Sequence, residues 1–158
     1  YGEKKFIQKC KTSGVDGLIV VDLSFPDNKN FAKLCKKNSI CFVQLIAPTT
    51  TVKRMREIIK NSHEMIYMIS TISTTGSALK YSIKKIINNY NIIKRIKPSK
   101  NVVIGFGITE KTISNLRSAD GLVVGSAICR EITRSLKDRQ NPVTNVSKLV
   151  RKLKNKII

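Results

Sequence analysis

The sequence predicts an α/β protein in which short, buried, parallel strands alternate with amphipathic helices. Two observations lead there. Five short runs are apolar on nearly every position, so both faces of each would be covered, as in parallel strands packed under helices. Between the runs, apolar residues recur three and four apart, the spacing of one helical face.

Taken in order, residues 3–11 read as a charged amphipathic helix with Phe6, Ile7 and Cys10 on one face. The run Gly17-Leu18-Ile19-Val20-Val21-Asp22 is the first strand candidate. Pro26 and Asp27 introduce a helix over 28–38, followed by a strand over 41–46. Pro48 and Thr49 to Thr51 precede a helix over 51–61, and a strand over 65–70 comes next. A helix over 79–95 carries Ile83, Ile86, Ile87 and Tyr90 at helical spacing. The strand at 101–106 is followed by a short helix over 109–117, with Thr109 as its cap. The last strand, 121–125, leads into two terminal helices near 127–137 and 144–155. No Gly/Ser-rich linker or charge block divides the chain, so residues 1–158 form one domain.

Composition narrows the function. The formal net charge of +20 would attract polyanions, but the lysines and arginines are scattered over every helix candidate, and aromatic residues make up only 6%. That pattern lacks the stacking surface of an RRM or OB module and argues against nucleic acid as the partner. No run approaches the roughly 18 apolar residues of a membrane span, and the first residues carry no signal-peptide pattern. Cys10, Cys35, Cys41 and Cys129 occupy apolar periodic positions without C-x-x-C spacing, which predicts buried reduced thiols and a cytoplasmic protein. His63, the lone histidine, has no second ligand nearby and reads as a solvated loop residue, so no metal site is expected.

The strand ends carry the chemistry, because parallel α/β folds bind ligands beyond the carboxyl ends of their strands. Gly105-Phe106-Gly107-Ile108 and Gly125-Ser126-Ala127, on the last two strands, combine glycine with small residues before a helix start. Backbone N–H groups approach an anion closely there, and the helix dipole favours negative charge. Either motif alone also reads as a tight turn. The pair together suggests a phosphate cradle.

These residues resemble a specific family. Gly14-Val15-Asp16-Gly17 through Asp22-Leu23, Leu45-Ile46-Ala47-Pro48-Thr49-Thr50, Ile66 to Ser70 with Thr75-Gly76, Gly105-Phe106-Gly107-Ile108, and Asp120-Gly121 through Ser126-Ala127-Ile128 resemble, in order and spacing, successive motifs of tryptophan synthase alpha chains. The resemblance implies a (β/α)8 TIM barrel of which this chain supplies about the fourth to eighth units, since 158 residues fall short of the roughly 250 of a whole barrel. A start at Tyr1, already inside a helix, fits a fragment of a longer polypeptide.

The family's reaction is cleavage of indole-3-glycerol phosphate to indole and glyceraldehyde 3-phosphate in tryptophan biosynthesis, a retro-aldol step that needs no organic cofactor. By resemblance, Gly76, Gly107, Gly125 and Ser126 would hold the phosphate. Tyr67, Thr75 and Phe106 would line the substrate pocket, although Tyr67 and Phe106 read equally as barrel packing. Asp22 would serve subunit communication. The implied partner is the beta chain, a pyridoxal phosphate enzyme, in an αββα assembly.

The family's two catalytic carboxylates lie in a segment resembling E-x-G-x-P-F-S-D-P, which has no counterpart in these 158 residues. No catalytic residue is therefore assigned, and the chain alone is expected to be inactive. Ser24 stands where proline is usual and Ser73 where glycine is usual in a mobile loop, both of which bear on loop closure. The alternative reading is a noncatalytic shortened subunit that binds and tunes the beta chain. Five parallel strands without the rest of a barrel would leave two open edges and an unstable unit.

Overall fold

The structure, a computed structural model, describes residues 1–70 and 82–158. It alternates strands and helices as the apolar runs predict: α1 (Glu3–Thr12), β1 (Gly17–Leu18), α2 (Lys29–Lys37), β2 (Cys41–Phe42), β3 (Gln44–Ile46), α3 (Val52–Asn61), β4 (Met65–Ile69), α4 (Ile83–Ile96), β5 (Asn101–Gly105), a 3-10 helix (Ile113–Leu116), β6 (Gly121–Val123), α5 (Ser126–Lys137) and α6 (Pro142–Lys154).

Among the described residues every strand pairing is parallel. β1 pairs with β2, and β3, β4, β5 and β6 follow one another in chain order. Val43 joins the two ladders: its N–H donates to the Leu18 carbonyl at 2.9 Å, between a strand that pairs with β1 and one that pairs with β4. Residues 41–46 thus form one continuous run, and the five strands lie side by side in sequence order. This is the order of consecutive units in a (β/α)8 barrel.

The two sheet faces differ. Ile46, Ile66, Met68, Val102 and Ile104 are all nearly inaccessible and form one core with Met55, Ile58 and Ile59 of α3 and Ile86, Tyr90 and Ile93 of α4. On the opposite face, Leu45, Ile69 and Val103 are only half-buried. Helices cover the first face, while the second is the inner wall, open along part of its area. A second core beneath α1 and α2 unites Ile7, Cys10, Phe31, Ala32, Cys35, Ile40 and Phe42.

Local chemistry sets the helix ends. The Thr51 hydroxyl accepts from the Arg54 N–H at 3.3 Å, Ser82 does the same for Lys85, and Asn141 caps α6 through Thr144 with Pro142 in the first turn. Each such cap stabilises its helix by about 1 kcal/mol. Asp120, just before β6, accepts from the Val102 N–H at 2.8 Å, from Lys94 at 2.9 Å and from the Tyr90 hydroxyl at 3.3 Å. One carboxylate therefore ties α4, β5 and β6 together.

Three expectations are corrected. The helix expected over 109–117 is a four-residue 3-10 helix, because Thr109 and Thr112 direct their hydroxyls into a turn instead. Cys129 is exposed on α5, although Cys10 and Cys35 are buried as expected and all four thiols are free. His63 is half-buried rather than solvated: its Nδ1 accepts from the Phe42 N–H at 3.0 Å, a structural bond across 21 residues of sequence. The predicted helix start at 79–81 lies outside the described residues. Among the described residues no helix is long and apolar enough to cross a membrane, and no group of three or more His, Cys, Asp and Glu could hold a metal ion.

Candidate substrate-phosphate site

The ends of β4, β5 and β6 and the start of α5 enclose an open cavity of about 740 Å³. Of the residues singled out in the sequence, Tyr67, Phe106, Gly107, Gly125 and Ser126 all line it. Thr75 and Gly76, with Ser73, lie outside the described residues. Asp22 is exposed in the turn after β1 and takes no part in the cavity wall.

The wall after β5 is built around two successive left-handed residues, Phe106 at φ 67° and Gly107 at φ 65°. Glycine adopts that conformation freely, but for phenylalanine it costs about 1 kcal/mol or more. Ser70, buried at the end of β4, offsets the cost. Its N–H donates to the Gly105 carbonyl at 2.9 Å and its hydroxyl donates to the Phe106 carbonyl. Further along, the Thr112 hydroxyl donates to the Gly107 carbonyl at 3.1 Å and accepts from the Thr109 N–H at 3.0 Å. The orientation of the peptide around Gly107 is thereby fixed from both sides.

Phe106, a residue 51% exposed, meets the Tyr67 ring edge-to-face with centroids 6.0 Å apart. Burial raises the Tyr67 phenol above its ordinary value of 10.0, so its hydroxyl keeps its proton at neutral pH. The two rings and the aliphatic wall of Ile83, Ile86, Ile108, Leu116 and Val123 suit an apolar, planar ligand group.

The rest of the lining is more polar. α5 begins at Ser126 after Gly125, which has no side-chain cap. A Cβ placed on Gly125 would meet nothing within 4 Å, so the backbone there borders open space. The first-turn N–H groups of α5 and the Ser126 hydroxyl sit at the positive end of the helix dipole, beside the turn at Gly107. An apolar wall and the N-terminus of a helix thus share one cavity.

Over residues 1–158 the chain matches the family model described as tryptophan synthase alpha chain. The chain belongs to the tryptophan synthase alpha chain family. It is 62% identical over 157 residues to the tryptophan synthase alpha chain of Pelagibacter ubique, a match covering 99% of this chain and 59% of that protein. With the counterpart from Methanococcus vannielii it shares 32% identity over 161 residues, again covering 99% of this chain and 60% of that one. Among solved structures, the tryptophan synthase α2β2 complex of Pyrococcus furiosus matches with a TM-score of 0.74 at 32% identity, covering 96% of this chain and 59% of that chain. The alpha subunit of Legionella pneumophila superposes with a TM-score of 0.81 at 24% identity, a likeness of fold covering 99% of this chain and 57% of that one. The chain therefore spans about three fifths of its relatives' length, and its five strands are part of a TIM barrel.

Sequence reasoning missed several site residues. Ser70 was visible only as a strand end, and its bond to Phe106 spans 36 residues. Lys111 and Arg130 also line the cavity. The one available signal for Arg130 was its place four residues after Ser126, on the same helix face.

Proposed function

We propose that this chain carries the phosphate- and indole-binding wall of a lyase that cleaves indole-3-glycerol phosphate to indole and glyceraldehyde 3-phosphate. The observation that carries this reading is the convergence of Gly107, Gly125 and Ser126 on the cavity that also holds the Tyr67–Phe106 pair. A phosphate at the start of α5 would anchor the glycerol arm and direct the indole toward the two rings. No carboxylate belongs to the cavity lining among the described residues. The acid and base of the retro-aldol step are accordingly assigned to residues beyond this wall, and Tyr67 and Phe106 orient the substrate.

Gly76 and Thr75 complete the phosphate and pocket sets by family resemblance. The same resemblance, with the α2β2 complex of P. furiosus among the structural neighbours, supports a beta chain as partner in a cytoplasmic αββα assembly, with Asp22 on the communicating side.

The test is a Gly125→Ala exchange in the full natural polypeptide. At φ −113° and with open space around the new methyl, folding is expected to be undisturbed. Indole release and affinity for glycerol 3-phosphate should both fall about tenfold or more, a loss of about 1.4 kcal/mol, while affinity for indole alone stays unchanged. Unaltered phosphate-ester affinity would sink the assignment.

A further inference from the structure

The cavity contains two cations to which neither the motifs nor the family resemblance gave a role. Lys111 stands in the turn beyond Gly107, and Arg130 stands on α5 one helical turn after Ser126. They line the same cavity, one following each of the two glycine-bearing strand ends. The cavity lining among the described residues holds no Asp or Glu to neutralise them.

The acidic residues that share a groove with them are already engaged. Lys111 and Arg130 also border a surface groove that includes Glu110 and Glu131. Glu110 pairs with Lys152 at 2.6 Å and lies 3.9 Å from Lys156, while Glu131 pairs with Arg134 at 2.9 Å. The Lys152 contact and its charge hold the Glu110 carboxyl below its ordinary value, so it stays ionised and bound to those lysines. The two carboxylates of the groove are thus paired with other cations, and Lys111 and Arg130 form no ion pair among the described residues.

We propose that Lys111 and Arg130 are anion-binding residues that make this cradle select the doubly charged form of a phosphate monoester, an inference that rests on the phosphate reading of the cavity. Backbone N–H groups and a helix dipole supply about half a positive charge, which suits an oxyanion but discriminates weakly between one negative charge and two. Two side-chain cations at the rim add the charge that a dianion requires. Since the second proton of a phosphate monoester dissociates near pH 6, selection for the dianion makes affinity rise with pH across that value. The guanidinium also offers paired donors in a plane matching two phosphate oxygens, which Lys111 cannot do.

The experiment titrates glycerol 3-phosphate, with glycerol as the uncharged control, into the full natural polypeptide and into Arg130→Gln, Lys111→Gln, the double variant and Arg130→Lys. Both residues are exposed, so all variants should unfold at the wild-type temperature. Each Gln variant is expected to raise Kd about fivefold at low salt, as for a single rim charge. The double variant should lose most of the change in Kd between pH 5.5 and 7.5, whereas Arg130→Lys, which keeps the charge but not the paired donors, should keep the pH dependence and lose part of the affinity. Wild-type binding with Gln variants within twofold and an unchanged pH profile would overturn this inference and leave the cradle standing. No wild-type binding at all would overturn the cradle and the inference with it.

Discussion

Gly105 lies directly beneath the Tyr67 ring: a Cβ added at Gly105 would overlap the phenol oxygen and Cζ and stand 2.8 Å from Cε1. β4 and β5 pair in parallel with Tyr67 opposite Val103 and Ile69 opposite Gly105, so the ring leans along its own strand toward the cavity and crosses the bare backbone of its neighbour. The glycine makes room for the aromatic group that faces Phe106. Its value lies in the missing side chain rather than in an unusual backbone angle.

Gly105→Ala should therefore push Tyr67 out of place. Overpacking of this kind costs about 1 to 3 kcal/mol, and binding of an indole-bearing ligand should weaken with it. In a Tyr67→Ala background the same alanine should cost less, with a coupling of about 1 kcal/mol or more in a urea-unfolding cycle. Additive effects would show that the ring and the glycine are independent.

Phe106→Gly separates strain from function. Relief of the left-handed conformation, worth about 1 kcal/mol, is opposed by the greater chain entropy of glycine in the unfolded state. Stability is expected to change by less than about 1 kcal/mol, whereas affinity for indole falls and affinity for glycerol 3-phosphate holds. An equal loss for both ligands would place Phe106 outside the indole wall.

Asp120→Asn tests the tie between α4, β5 and β6. Burial opposes ionisation of this carboxyl, but bonds from Lys94 and the Val102 N–H, with the Lys94 charge, outweigh it and hold the group below its ordinary value of 3.8. The stabilisation is present above that value and is lost as pH falls through the lower folded one. At neutral pH the exchange should cost about 1 to 2 kcal/mol, since the site is partly open to solvent. Thermal melts at neutral pH should show the gap, and melts in strong acid should narrow it.

His63 has the same sign for a different reason. Burial, with the Lys36 charge, holds its imidazole below the ordinary 6.5. The folded chain thus favours the neutral ring that accepts the Phe42 N–H, and the contribution is complete above about pH 6.5 and declines as pH falls toward the folded value. As the chain's one histidine, it should account for most of the change in urea-unfolding stability between about pH 7 and pH 5. His63→Gln should flatten that slope; an unchanged slope would assign it elsewhere.

All five strands were legible because each is a short apolar run, and the helices because their apolar residues repeat at helical spacing. Their lengths were less so. The run through Val21 promised a longer first strand, yet pairing ends at Leu18 and Val21 is 66% exposed. Hydrophobicity marks a candidate strand, but only a partner on the adjacent lane makes one. Gly107 and Gly125, read as strand-end glycines, do come together at one cavity. Ser70, His63 and Asp120 went unread because their bonds join segments distant in sequence, and no local pattern records which polar side chain will meet which backbone group.

An amide-resolved NMR titration of the full natural polypeptide with glycerol 3-phosphate tests residue by residue whether the cavity at the start of α5 binds phosphate. The largest shifts are expected on the amides of Gly107, Gly125, Ser126 and Ala127, saturating together at one affinity. Shifts scattered over the lysine-rich helices without saturation would contradict phosphate binding there, reducing the cavity to packing and the affinity to general charge.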